Sequence, residues 1–480
     1  MGSYLIKGGN VLIFTDEKKA TFPQLDILVE GQQISKIGSN LSVDAAEAST
    51  EVIDASGYIV TPGFIDGHRH VFQSQLRSTV SDHSLLGYGA HLLLGRMVFL
   101  DAEDMYLSQL AGAVEAISCG VTTVMDHSHV VTSPEHARRC IKATLESGIR
   151  SIYCMSPFGI PISVNPLTFP DMATQHAGQV ELFKSLSAEK PLGGPVDNDG
   201  RLTLGLGLDT VHQIPVGESK DILTYAKEHS IPVTMHDVIR FALPAMKFLR
   251  EHPMPSLPSL TLSHACEPDA EILSFVKDHK IGIVSTPESE MAMGHGQPSA
   301  FDFYRFGIAT GLGIDSPAIC SGDLFTVMRL ALQERRMLEN SNTHSRGKIP
   351  ESLKATTSDV LYMATLGGAE AIHMEKEIGS LEVGKKADIV LIRTDGPSMV
   401  SSVDFGGALV THCSAADVDT VLVNGEIVKR EGKLLRVDWD GLKDQLRQNR
   451  AILEERWKHV DWERNQEELK NLWGLQPILE

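Results

Sequence analysis

The chain is expected to fold as an α/β protein: a (β/α)8 TIM barrel with a small β-sandwich domain built from both chain termini. Three observations lead there. Eight short apolar, strand-like runs recur between Ile59 and Asp315, capped helical segments separate them, and strand-rich stretches flank the whole. Continuous apolar strands alternating with helices mean a parallel sheet, and eight of them match a closed barrel. A doubly wound open sheet is the alternative, but no glycine-rich phosphate loop follows the first strand.

The flanking stretches come first and last. Residues from Leu5 to about Val60 read as short strands with turns, "YLIKGGNVLIF", "LDILVEGQQISKIG" and "EVIDASGYIV". Near the other end "KKADIVLIRT" and "VDTVLVNGEIVKREGKL" look the same, and Asn424–Gly425 favours a hairpin. Neither stretch can bury a core alone, so residues 1–59 and 375–436 are expected to share one β-domain around a barrel of residues 60–374. Residues 437–480, with "LKDQLRQNRAILEERWKHV", read as a charged helical tail, solvated or packed on another subunit.

Within the barrel, Ile59–Asp66 is the first strand. The others begin at Val121, Arg150, Leu202, Ile231, Ser259, Ile281 and Ile308. Between the first two strands, "DAEDMYLSQLAGAVEAISCG" opens on Asp101 as a cap and closes on Gly120. The next helix has Ser133 as cap, Pro134 in the first turn and Gly148 as stop. The segment His83–Leu100 is rich in leucine. It reads either as a satellite core under a long loop or as the apolar wall of a pocket.

Composition narrows the function classes. With 42% hydrophobic and 22% charged residues the balance is that of a globular protein. A net charge of −19 argues against nucleic-acid binding, which needs a basic face. The six cysteines are scattered without a CxxC pair, which fits a reducing compartment. No secretory signal and no apolar run of membrane-spanning length is visible. A cytoplasmic location is expected.

The polar residues fall where barrel chemistry sits, at the C-terminal ends of strands. The first strand ends in His68 and His70, the fifth in His236, the sixth in His264 and the eighth in Asp315. Residues two apart on a strand share a face, so His68 and His70 can grip one ion while Arg69 points away. Imidazoles plus a carboxylate suit a divalent metal, Zn2+ or Fe2+, with a position left for water. A second pair, His127 and His129, closes the second strand and is taken as loop histidines. The fourth strand, "LTLGLGLD", contains no Lys to bridge two metals, so one ion is expected.

At this point the sequence resembles the amidohydrolase superfamily, in the branch of cytosine deaminase, S-adenosylhomocysteine deaminase and triazine chlorohydrolase. The resemblance spans about Gly57 to Gly432 through "TPGFIDGHRH", "SHACEP", "STPESEMAMGHGQP", "GLGID", "ATLGGAEAI" and "IGSLEVGKKADIVLI". It implies His68, His70, His236 and Asp315 as metal ligands, with Asp315 also the general base. It implies that His264 hydrogen-bonds the attacking oxygen or the substrate. Deaminases of this branch carry Glu three residues after the fifth-strand His, and here Ile239 stands there. Asp237 points away by strand alternation. Glu290 is the expected replacement, with Glu288 and His295 in the same loop and Gln73 beyond His70 as substrate-binding candidates. Arg77 is expected to be structural.

The expected activity is therefore metal-dependent hydrolysis of a C–N bond in a small cyclic amide, imide, imine or amidine. A deaminase or chlorohydrolase of an aromatic N-heterocycle is the alternative within enzymes, and a catalytically silent scaffold the alternative outside them. The expected partners are a small-molecule substrate and further copies of the chain, as a homodimer or higher homo-oligomer, with no nucleic acid and no membrane.

Overall fold

The computed structural model describes residues 2–42, 50–193, 199–238 and 243–473. Ile239 lies outside the described residues. Among these, eight parallel strands form one sheet in sequence order: β1 (Phe64–Arg69), β2 (Val121–Ser128), β3 (Arg150–Met155), β4 (Leu202–Gly207), β5 (Val233–Val238), β6 (Leu260–His264), β7 (Gly282–Ser285) and β8 (Thr310–Leu312). Backbone bonds from Asp315 N to His68 O (2.9 Å) and from His70 N to Asp315 O (2.8 Å) join the last strand's extension to the first. The sheet thereby closes into a barrel at the site residues themselves.

Helices cover the outside, and their ends follow local chemistry. The Asp101 side chain accepts from the backbone of Glu103 and Asp104, and the Asp104 carboxylate accepts from Asp101 N, which makes a capping box for Ala102–Ser118. Ser133 caps Pro134–Ser147, and Gly148 ends that helix at φ +83°. At the N-terminal end the short helix Leu366–Ala371 plugs the barrel. There Ala369 and Ile372 pack with Ile65, Met125 and Ile152.

The two ends of the chain meet in a separate mixed sheet. The strand Tyr58–Pro62 lies between Ser3–Val11 and Ile389–Arg393, and Asn424–Gly425 turns the hairpin Val418–Val423 to Glu426–Arg430 with both residues at positive φ. One expectation is corrected here. Ile59–Asp66 is not one barrel strand, because the chain changes sheet at Pro62–Gly63. Pro62 has no N–H to continue the ladder, and Gly63 N bonds to Asp388 O (2.9 Å) before Phe64 enters the barrel.

The tail folds back on its own barrel. Helices Trp439–Trp457 and Trp462–Leu472 bury Leu453, Trp457 and Leu469 against the leucine-rich segment. Arg450 donates to Gln75 O (2.6 Å), Arg456 to Phe99 O (2.9 Å) and Asn465 to Ala90 O (2.6 Å). These bonds satisfy backbone carbonyls that the irregular segment leaves open. Among the described residues no single helix is long and apolar enough to cross a membrane.

Barrel and terminal sheet are locked by a buried ion pair. Arg150 on β3 donates from Nε and Nη2 to the two carboxylate oxygens of Asp388, each at 3.1 Å, and Asp388 also accepts from Asn424 N at 2.6 Å. Removing one partner strands a buried charge, which costs about 3–5 kcal/mol. Arg150→Met is therefore expected to lower the urea midpoint strongly, and Arg150→Met/Asp388→Leu to recover part of the loss. An Arg150→Met protein as stable as wild type would refute the lock.

Candidate metal centre

The strand ends put six histidines and two aspartates around the barrel mouth, all buried: His68, His70, His127, His129, His236, His264, Asp209 and Asp315. The backbone is bent to bring them in. His264 (φ +71°) and Asp315 (φ +67°) both occupy the left-handed region, uncommon for residues with a side chain and typical of functional sites. Gly207 on β4 gives room of another kind: a Cβ there would lie 2.6 Å from His127 Nε2.

Four of the rings are fixed through Nδ1. His68 Nδ1 meets Ser263 Oγ at 3.0 Å, His70 Nδ1 donates to the His127 carbonyl at 2.7 Å, and His236 Nδ1 donates to Asp209 Oδ2 at 3.0 Å. His264 Nδ1 meets Thr286 Oγ1 at 2.9 Å. Each ring therefore has only Nε2 left for other work, the arrangement that orients histidines on a metal. His68 Nε2 has no hydrogen-bond partner among the described residues although fully buried. Asp315 Oδ1 lies 3.5 Å from His68 Nε2 and 3.2 Å from His70 Nε2. Donors of His68, His236, His264 and Asp315 all lie within 4.8 Å of one another, so a divalent ion fits among them. The set is nitrogen-rich with one carboxylate, the zinc type, and it takes a single ion.

Electrostatics keep His68, His264 and Asp315 in the form a metal needs, whereas on His236 burial is outweighed by the Asp209 carboxylate, which raises the ring from its ordinary value. Burial pulls His68 well below the usual imidazole range and takes His264 down to about 3, so both stay neutral. Burial would raise Asp315, but the His68 and His70 rings hold it well below the usual carboxylate range. Neutral rings and an ionised carboxylate bind metal without first losing protons.

The other expected site residues fall in different places. Arg69 points away, as expected, to Asp66 (3.3 Å) and Glu115 (2.5 Å), and Arg77 joins it on Glu115. Asp237 also points away, accepting from Met246 N at 2.8 Å. Gln73 is fully buried. Its amide donates to Tyr88 Oη (2.8 Å) and accepts from Ser316 Oγ (2.5 Å), so it reaches the mouth only through Tyr88. Glu288 accepts from the backbone and hydroxyl of Ser321. Glu290 sits behind the site, accepting from Ser285 Oγ (2.8 Å) and Thr286 N (2.6 Å), 3.6 Å from His264 Nδ1. His295 does reach the mouth, edge-on to His264 with ring centroids 4.6 Å apart.

The mouth itself is a cavity of about 40 Å³ lined by His70, His129, Asp209, His236, His264, His295 and Asp315, with an apolar wall that includes Leu85, Tyr88, Leu93, Phe158 and Met293. The leucine-rich segment thus does both things foreseen for it: Leu92, Leu94 and Met97 are core, while Leu85, Tyr88 and Leu93 are wall. A larger cleft of about 1220 Å³ beside Trp439 and Arg447 includes none of the histidines or aspartates at the mouth. Sequence reasoning missed Asp209. Its signal was a carboxylate two residues beyond β4, at the same strand-end position that singled out the others.

Burial pushes the Glu290 carboxyl from 4.5 up to about 7, so the folded protein holds its proton where the unfolded chain has lost it. Its contribution to stability is present below about pH 4.5 and is lost as pH rises toward about 7, at up to about 1.4 kcal/mol per unit. Relative to wild type, Glu290→Gln should therefore gain stability across that window in urea titrations at successive pH values. Parallel profiles would disprove it.

Comparison with known proteins agrees with this geometry. A model of the amidohydrolase family matches residues 59–428. A 5-methylthioadenosine/S-adenosylhomocysteine deaminase of Carboxydothermus hydrogenoformans is 29% identical over 451 residues, 92% of this chain and 95% of that protein. A 5'-deoxyadenosine deaminase of Methanobrevibacter smithii is 26% identical, over 86% of this chain and 90% of that one. Among solved structures, a zinc complex of atrazine chlorohydrolase from Arthrobacter aurescens superposes with TM-score 0.76 at 22% identity, over 94% of this chain and 99% of that one. A zinc-bound adenosine deaminase from Xanthomonas campestris gives 0.76 at 17%, over 95% and 99%. Eight strands, a metal-competent mouth and a match over most of the barrel agree: the chain belongs to the amidohydrolase family, as a metal-dependent hydrolase of carbon–nitrogen bonds.

Proposed function

We propose that the chain hydrolyses an amidine-type C–N bond of a small nitrogen heterocycle, releasing ammonia. The observation that carries this is the convergence of His68, His236, His264 and Asp315 on one point at the floor of an apolar-walled cavity. The relatives named as deaminases of 5'-modified adenosines support the amidine carbon as the point of attack.

In this reading His68, His236 and Asp315 of that group would hold the ion together with His70, whose Nε2 lies 3.2 Å from Asp315 Oδ1, and His264 stands beside it. Bound there, the ion supplies a Lewis acid and lowers the pKa of water toward neutrality. Asp315 takes the proton of the attacking water at its carboxylate. His264, with Nδ1 2.9 Å from Thr286 Oγ1, presents Nε2 to the mouth and steadies charge developing on the substrate. Glu290 holds Thr286 and His264 in place from behind, as a positioning residue. His295 faces the substrate, and its two ring nitrogens have no hydrogen-bond partner among the described residues. A cavity of about 40 Å³ is far below the roughly 300–1,000 Å³ of ligand pockets, so a ring enters only as the Leu85–Leu93 wall shifts.

Ring opening of a cyclic amide or imide is the second reading. It is favoured by Ile239, a residue that cannot carry protons where related deaminases have Glu. The proposal also includes a homodimer or higher homo-oligomer in the cytoplasm; the absence of disulfides among the described residues supports the reducing compartment.

Zinc-loaded protein should release ammonia from 5'-modified adenosines or amino-triazines. Chelation should abolish the release, and Asp315→Asn should lower kcat roughly 100- to 10,000-fold. Consumption of a cyclic amide without ammonia would transfer the assignment to ring opening. No turnover across both panels by metal-replete protein would leave the scaffold reading.

A further inference from the structure

A second group of donors stands beside the first. His127 and His129 at the end of β2, Asp209 beyond β4 and His236 on β5 place one donor atom each within 4.8 Å of one another, and all four residues are buried. His127 Nε2 lies 2.9 Å from Asp209 Oδ2 and His129 Nε2 3.4 Å from the same oxygen. Yet the His127 Nε2 contact lacks hydrogen-bond geometry, and among the described residues this buried atom has no partner. The donor atoms of the group thus share a space small enough for one ion to touch them all.

The spacings fit an ion at that point. Bonds of about 2.0–2.1 Å in a tetrahedron place neighbouring donors about 3.3 Å apart. The first cluster shows 3.5 and 3.2 Å, the second 2.9 and 3.4 Å. Gly207 adds an independent sign, since any Cβ there would lie 2.6 Å from the His127 Nε2 atom and displace it.

We propose that His127, His129 and Asp209 form a second binding site for a divalent transition-metal ion, sharing His236 as a common wall with the first. His236 turns Nδ1 toward Asp209, which leaves its Nε2 for the first site. Both sites open on one cavity, because His129 and Asp209 line it together with His70, His264 and Asp315. The pair of sites would be built without a bridging lysine, by strands β2 and β4. The inference shares the metal reading of the first site and needs no particular substrate.

Metal content per chain after zinc loading and desalting tests it. Three proteins would be measured side by side by plasma mass spectrometry: wild type, His127→Ala/His129→Ala and His68→Ala/His70→Ala. Two ions in wild type and one in each variant is the expected result. One ion in wild type, kept in His127→Ala/His129→Ala and lost in His68→Ala/His70→Ala, would overturn the second site and leave the first. One ion lost only in His127→Ala/His129→Ala would establish the second site and remove the first. Should a variant fail to fold, anomalous diffraction at the zinc edge from wild-type crystals decides. Two peaks, one enclosed by His127, His129 and Asp209, support the proposal; a single peak at the first cluster refutes it.

Discussion

The site depends on histidines that are buried and still have a nitrogen to give. An imidazole taken out of water loses its charge, and then one nitrogen carries the proton while the other carries the lone pair. Ser263, the His127 carbonyl, Asp209 and Thr286 each engage an Nδ1, which leaves Nε2 of His68, His70, His236 and His264 for the mouth. Three of these partners come from the adjacent strand or the residue just beyond it, and the fourth from across the barrel, so the orientation of each ring is a property of strand register and closure. Ser263 on β6 reaches His68 on β1 across the barrel, a contact that only closure of the sheet permits.

Closure and chemistry are joined at the same atoms. The backbone bonds that link Asp315 to His68 and His70 complete the barrel while they set the carboxylate beside the two rings. The left-handed conformations of His264 and Asp315 are tolerated because the surrounding ladder and the packed helices hold them. Stability elsewhere maintains this strain. The Arg150–Asp388 pair ties the barrel to the terminal sheet, and the tail helices hold the leucine-rich segment against the mouth. That segment therefore presents a largely apolar wall opposite a polar floor, which suits a flat heterocycle with few charges.

Some of the site was legible residue by residue. Strand ends bearing His68, His70, His236, His264 and Asp315 are local features, and period-two alternation shows which of them share a face. Other placements were not. Gln73 lies close in sequence to His70, but a turn of 3-10 helix over Val71–Leu76 buries it beneath Tyr88. Glu290 stands in a suggestive loop, yet Ser285 and Thr286 capture its carboxylate one layer behind His264. The switch of sheets at Pro62–Gly63 escaped the pattern because both strands are equally apolar there.

The sequence by itself determined the alternation of strands and helices, the caps, the hairpin at Asn424–Gly425, and the strand-end histidines that mark the family. Each of these is written in spacing and residue type over a few positions. Only the tertiary structure decided that Asp209 joins His127 and His129, that the tail packs on its own barrel, and which acidic residues reach the mouth. Those outcomes rest on contacts between residues far apart in the chain, such as Asp209 with His127 or Arg450 with Gln75. No local period encodes such contacts, because they exist only once the eight strands have closed.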